Sequence, residues 1–214
     1  VEGDFFSKAN WVYALTGEST RVETGGSFTG DGYYGAWVTE EFGRAVMNTS
    51  IVCFCVVTIS LTLSTLAGYA LSRSTYNYAF WILIAALMFR AMPQITLVSG
   101  YLLPFYEWNL WGRLGTTIVV LVAINQPFSL WMMTSFLRNI PKDLDESAMV
   151  DGCNRFQAFR HVILPVMWPG VVTTGLLSFL LAYNDFPVAA MLLDQQNQTM
   201  IPKIASFLGS TQVE

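Results

Sequence analysis

The chain has 214 residues, 53% of them hydrophobic, 14% aromatic and only 12% charged, with a formal net charge of -4 at pH 7. A soluble domain carries about 25% charged residues, so the composition favours a membrane protein. The acids crowd into the ends and one central loop, and no basic face suited to nucleic acid is visible. Cysteine spacing predicts no disulfide: Cys53 and Cys55, two apart on a helix, face different directions, and Cys153 sits in a polar loop.

Residues 1–43 are polar and glycine-punctuated, with Trp11, Tyr13, Tyr33, Tyr34 and Trp37 scattered through them. They read as a solvent-side segment whose aromatics form an interfacial belt or touch a partner. Residues 45–71 are the first apolar run long enough to cross a hydrocarbon core of about 30 Å. Arg73 follows as an interfacial anchor. A second span covers 78–106, where Pro93, Gly100 and Pro104 predict a kink facing neighbouring helices. Trp108 and Trp111 mark the short loop after it. The third span, 116–137, is read as interrupted at Asn125-Gln126-Pro127, and the fourth, 162–190, as kinked or started by Pro165 and Pro169. Residues 194–214 turn polar again and read as a solvated loop.

Between the third and fourth spans lies the one long polar interior stretch, residues 138–161. Asp143 with Glu146 three residues on predicts a capping box and a short helix. Gly152 suits the left-handed residue that closes it, and Asn154 with Gln157 repeats the start signal for a second helix. Leu144 and Ala148, then Phe156, Phe159 and Ile163, give each helix one apolar face. Such a face outside the membrane is either a plain interhelical loop or a dock for a partner. Arg73, Arg138, Lys142, Arg155 and Arg160 bias this side toward the cytoplasm over Arg44, Arg113 and Lys203, which leaves both described ends outside.

Glu146-Ser147-Ala148, then Gly152, then Ile163-Leu164-Pro165 resembles the cytoplasmic signature loop of ABC-importer permeases, with Ser147 in place of the usual first alanine. Arg138-Asn139-Ile140-Pro141, Asp151-Gly152 and Tyr183-Asn184-Asp185-Phe186 are similar to the carbohydrate, maltose-transporter type of permease, where the last group usually reads Trp-Asn-Glu-Phe. Asn48-Thr49-Ser50 and Arg90-Ala91-Met92-Pro93 also fit, so the likeness runs from Arg44 to the C-terminus. It implies an all-α, kinked transmembrane bundle of the ABC type I importer permease fold in a prokaryotic cytoplasmic (inner) membrane. Residues 1–43 then become an extracytoplasmic segment and 44–214 the permease domain. Residues 138–161 become the coupling loop, and 194–214 an external loop that meets a substrate-binding protein. It further implies a cytoplasmic ATPase dimer carrying the ATP and magnesium, and a second homologous permease. Glu146, Ser147, Ala148, Gly152, Phe156, Phe159, Leu164 and Pro165 become the residues that engage the ATPase. Four spans with both ends outside, against six with cytoplasmic ends in the family, and a first residue other than methionine lead to the expectation of an interior fragment.

Arg90 is the sharpest single residue, since a guanidinium inside a span costs at least about 2.5–3.5 kcal/mol and needs an interior partner. Asp185 is the candidate, against freed carbonyls or a helix outside this chain; a depth difference of roughly 12 Å opposes the pairing. Gln94, Asn125, Gln126 and Asn184 are polar groups within spans, lining a sugar path or hydrogen bonding between helices. His161 has no companions for a metal site, and neither a nucleophile triad nor a phosphate-binding glycine loop occurs, so no enzymatic role is expected of this chain. The leading reading is a sugar or polyol importer subunit. Its rivals are an amino-acid or peptide importer, an ion-coupled secondary transporter using Arg90 and Asp185, and a membrane-anchored scaffold.

Overall fold

The computed structural model describes residues 42–76 and 78–210. The aromatic segment at 1–41 and residues 211–214 lie outside the described residues.

Helix α1, Phe42–Arg73, is 32 residues long, about 48 Å at 1.5 Å per residue. Its buried face is a row of Asn48, Val52, Val56, Ser60, Ser64, Gly68 and Ser72 at four-residue steps. Its large residues, Met47, Phe54, Leu63 and Leu66 among them, are exposed. A soluble helix does the reverse. In lipid, apolar bulk gains nothing by facing inward, and small residues let backbones approach closely.

Helix α4, Leu114–Arg138, lies along α1 and presents Thr117, Ser129 and Thr134 to the interior. It runs unbroken through Pro127, so the interruption expected there does not occur. One lost backbone hydrogen bond does not end a helix that is packed along its length. Helix α7, Trp168–Tyr183, packs on both α1 and α4. The hydroxyls of Ser129 on α4 and Ser178 on α7 hydrogen bond at 2.9 Å. A Cβ on Gly170 would lie 2.7 Å from Cγ of Phe136, and one on Gly68 3.2 Å from Cβ of Met133, so both glycines mark close helix approaches.

The second predicted span is two helices, α2 at Tyr78–Arg90 and α3 at Gln94–Glu107, meeting at 84°. Pro93 has no N–H to continue the ladder, and the kink expected there becomes a near right-angle turn. The fourth predicted span is likewise divided. Residues 162–166 belong to a helix that starts outside it, α6 at Arg155–Val166, which meets α7 at 74°. Beyond α7 comes a separate short helix, α8 at Pro187–Leu192. By length and composition α1 and α4 each suffice to cross a membrane, and there are up to four spans if each bent pair counts as one.

Between α4 and α6 sits α5, Asp143–Val150. The described residues end on α9, Met200–Ser210, a helix where the sequence read a loop. Apolar residues at 200, 201, 204, 207 and 208 supply the helical spacing, and Pro202 falls in the first turn, where a missing N–H is harmless. The start of α9 is tied to α1: the backbone N–H of Met200 donates to Oγ1 of Thr49 at 2.8 Å.

The buried apolar residues form two groups. One, near α3 and α8, contains Val52, Val56, Val98, Leu121, Val188 and Leu192; the other, near α5 and α6, contains Met133, Leu137, Phe159, Ile163 and Met167. The close α4–α7 approach gives a test. Gly170→Ala should destabilise the detergent-solubilised protein by about 1–3 kcal/mol through overpacking. Phe136→Ala in the same chain should cancel part of that loss, so thermal unfolding of the two single variants and the double variant will be non-additive.

Candidate coupling platform and central cavity

Two assemblies bring the sequence-predicted residues together. The first is a platform made of α5, the turn after it and α6. The capping box read at Asp143 and Glu146 is not formed. Lys142 occupies the cap position in helical conformation with no side-chain cap bond, so Asp143 is already inside the first turn. Asp143, Asp145 and Glu146 instead place three carboxylates at the positive end of the helix dipole. Gly152 closes α5 with φ of +89°, while the N–H of Cys153 reaches the carbonyl of Ala148 at 3.0 Å. The second predicted cap is present in both halves: Gln157 N–H donates to Oδ1 of Asn154 at 2.8 Å, and Asn154 N–H to Oε1 of Gln157 at 2.9 Å. A π-helical turn, Phe159–Ile163, follows within α6.

The platform has two faces. Glu146, Ser147, Met149, Val150 and Phe156 are exposed, Val150 at 86% and Phe156 at 62%. Ala148, Ala158, Phe159 and Ile163 are buried against the bundle. Phe159 therefore cannot dock outward as the sequence reading had it; its ring packs on Tyr69 of α1, centroids 4.8 Å apart. Three positions further on is about 60° round a helix from Phe156, and the edge of the bundle falls in that gap. Leu164 is half-buried beside the same apolar group, and Pro165 is exposed at the approach to the α6–α7 bend.

A joint that the sequence reading missed fastens the platform down. Asp145 is buried, with Oδ1 accepting from the Tyr69 hydroxyl at 2.6 Å. Its Oδ2 lies 2.8 Å from Nε of Arg73, a close charge contact rather than an aligned hydrogen bond. Nη1 of Arg73 donates to the carbonyls of Ile140 at 3.0 Å and Leu137 at 3.2 Å. A signal was available in the sequence, because Asp145 lies three residues before Ala148 and hence on the face that turns inward.

The second assembly is a cavity of about 370 Å³ where the broken helices face the middle of α4. Arg90, Gln94, Asn125, Asn184 and Asp185 line it, with Leu121, Ile124, Phe128, Leu177, Leu180, Leu181 and Pro187 as apolar wall. Five of the six polar residues singled out within spans thus converge. Gln126 is the exception: it lies off the cavity, and its Oε1 is buried without a partner among the described residues. Arg90 and Asp185 share the cavity without forming an ion pair, so the candidate direct pairing is not formed. Asp185 is committed elsewhere, its Oδ2 accepting from the N–H groups of Val188 at 3.1 Å and Ala189 at 3.3 Å at the start of α8. Asn184 likewise spends its side-chain N–H on the Leu180 carbonyl, at 2.8 Å.

Residues 55–212 match the family described as binding-protein-dependent transport system inner membrane component. The trehalose/maltose transport system permease protein MalG of Thermococcus litoralis is 36% identical over 173 residues, covering 80% of this chain and 62% of that protein. The trehalose transport system permease protein SugB of Mycobacterium tuberculosis is 30% identical over 210 residues, covering 95% and 77%. The diacetylchitobiose uptake system permease protein DasC of Streptomyces coelicolor is 29% identical, covering 78% and 61%. This chain thus spans about three fifths of the length of MalG and DasC. A solved bacterial ABC transporter involved in import of the acidic polysaccharide alginate has a chain of the same fold, with a TM-score of 0.67 at 19% identity, covering 85% of this chain and 68% of that one. The family match along most of the chain and these relatives agree: the chain belongs to the inner membrane components of binding-protein-dependent transport systems.

Proposed function

We propose that this chain is a permease subunit of an ATP-binding-cassette importer for a sugar or related polyol. The observation that carries the reading is the platform's division into a sealed face and an open one. Phe159 and Ile163 are spent on the chain's own bundle, whereas Val150 and Phe156, on either side of Gly152, are apolar and uncovered. Apolar side chains on a capped, two-helix projection fit a groove on a cytoplasmic ATPase dimer, which would hold the ATP and magnesium. The ordered turn at Gly152 sets the angle between the two helices that such a groove meets.

Opposite this dock, the cavity offers what a hydroxyl-rich solute needs: a few amide and guanidinium groups in an apolar wall that includes Phe128. The names of the relatives, trehalose, maltose and diacetylchitobiose transporters, support the sugar class. A second homologous permease would complete the path, and an extracytoplasmic binding protein would deliver the solute. Residues 1–43 and the end of the chain from 194 would form that outer side, with 138–161 inside the cell. Import then requires that the two states of the ATPase hold the platform differently, since only differential contacts shift an equilibrium.

Three outcomes test this. Val150→Asp and Phe156→Ala together should sharply reduce the ATPase that co-purifies with the permease in mild detergent; full recovery would rule the dock out. At Gly152 a Cβ meets nothing within 4 Å, so the penalty for substitution is backbone strain of about 1–2 kcal/mol. Gly152→Val should lower sugar uptake into proteoliposomes while ATP hydrolysis continues, and Gly152→Asn, which tolerates a left-handed backbone, should retain most uptake. Asn125→Ala should raise the KM for uptake about three- to tenfold, the loss of one net hydrogen bond, measured by initial rates with trehalose and maltose.

A further inference from the structure

Within the platform, α5 is attached to the bundle at very few points. α5 is eight residues long, too short to hold itself together in water, and its buried side chains are Asp145 and Ala148. Its place is set by the guanidinium of Arg73, which makes three attachments at once. Arg73 ends α1, meets Asp145 of α5, and takes the carbonyls of Leu137 and Ile140 at the end of α4. Leu137 is in the last turn of α4 and Ile140 lies two residues past its end, so the guanidinium sits at the negative end of the helix dipole, which favours a cation. Arg73 also lies 5.9 Å from the centroid of the Tyr69 ring, and that ring touches Phe159 of α6. The side chains of Arg73 and Asp145 are only 14% and 10% exposed, so water cannot replace a lost partner cheaply.

From this joint α4 runs without a break to the cavity. Leu137 and Asn125 are on one continuous helix, about 18 Å apart along its axis. Were the N-terminal side of α5 held only by the linker at 139–142, a pull on it would be absorbed there. With the joint closed, the same pull moves the ends of α1 and α4.

Resting on the importer reading above, we infer that Arg73, Asp145 and Tyr69 are positioning residues for coupling: they make the platform, α1 and α4 move together, so that ATPase motion reaches the cavity. The link works in both directions, because coupling between two sites is reciprocal.

The test uses the complete transporter, permeases, ATPase and binding protein, in proteoliposomes with trehalose and maltose as probes. Asp145→Asn keeps the size of the side chain and an acceptor for Tyr69 but removes the charge. It should leave the complex assembled and hydrolysing ATP, lower sugar carried per ATP at least fivefold, and abolish stimulation of hydrolysis by the binding protein. Arg73→Lys, which keeps the charge but cannot span both carbonyls, should fall between it and the parent. An unchanged ratio of sugar to ATP with normal stimulation overturns the inference. So does a loss of hydrolysis and uptake in equal proportion, which marks the pair as a folding element only. If Asp145→Asn does not assemble, Tyr69→Phe decides: it leaves the charges paired, and a two- to threefold fall in the ratio supports the joint while no fall overturns it. The parent transporter separates this from the importer reading. A parent that binds no ATPase sinks both, whereas one that hydrolyses ATP but carries neither sugar contradicts the substrate class alone, and stimulation by the binding protein then judges the joint.

Discussion

A carboxylate and a guanidinium, both nearly out of water, sit where four helices meet. Asp145 lies between the Tyr69 hydroxyl and Arg73, and Arg73 reaches past it to the last carbonyls of α4. Burying two charges is unfavourable unless their remaining donors and acceptors are met. Here the carboxylate takes the phenol and Nη1 of the guanidinium takes two carbonyls at and just past the end of α4, while Nη2 is buried without a hydrogen-bond partner among the described residues. The arrangement is therefore specific to one relative placement of α1, α4 and α5. That placement turns an eight-residue helix into a fixed part of the bundle and leaves Val150 on it, with Phe156 on α6, as the free apolar surface of the platform.

Above the joint, the bundle is held by means suited to an apolar solvent. Ser60, Ser64, Thr117, Ser129, Thr134, Thr174 and Ser178 are almost fully buried, while Phe54, Trp81, Phe89 and Leu176 face outward. Thr49 and Thr134 return their hydroxyls to carbonyls four residues back, and Ser129 and Ser178 bridge two helices. Each such bond contributes little, about 0.6 kcal/mol. Their larger effect is steric, since small side chains allow α1, α4 and α7 to lie close enough for dispersion forces along their whole length.

The breaks in the helices are as consequential as the helices. At Arg90 to Pro93 and at Asn184 to Phe186 the backbone leaves the helical ladder, and both breaks open on Asn125 in the middle of α4. Irregular backbone is tolerated at membrane depth only where it is buried in protein or lines a cavity. The cavity and the breaks thus account for each other. Asp185 caps α8 there, so its charge serves the local backbone before it serves any solute.

Much of this was readable from residue order because it is local. The length of the apolar runs, the left-handed turn at Gly152 and the reciprocal Asn154–Gln157 cap depend on neighbours a few positions apart. That Arg90, Gln94, Asn125, Asn184 and Asp185 turn inward follows from the cost of polar groups in hydrocarbon, whereas their meeting in one cavity was decided by the fold. What only the folded chain decided depends on distant partners. Asp145 gained its partner only when the fold placed Arg73, 72 positions earlier, beside it. Phe156 and Phe159 looked equivalent until the edge of the bundle passed between them. Pro127 was tolerated because α1 supports α4 along its length, whereas at Pro93 the ladder breaks and the two helices part at 84°. Spacing along the chain sets which side chains share a face; the packing of other helices sets which way that face turns.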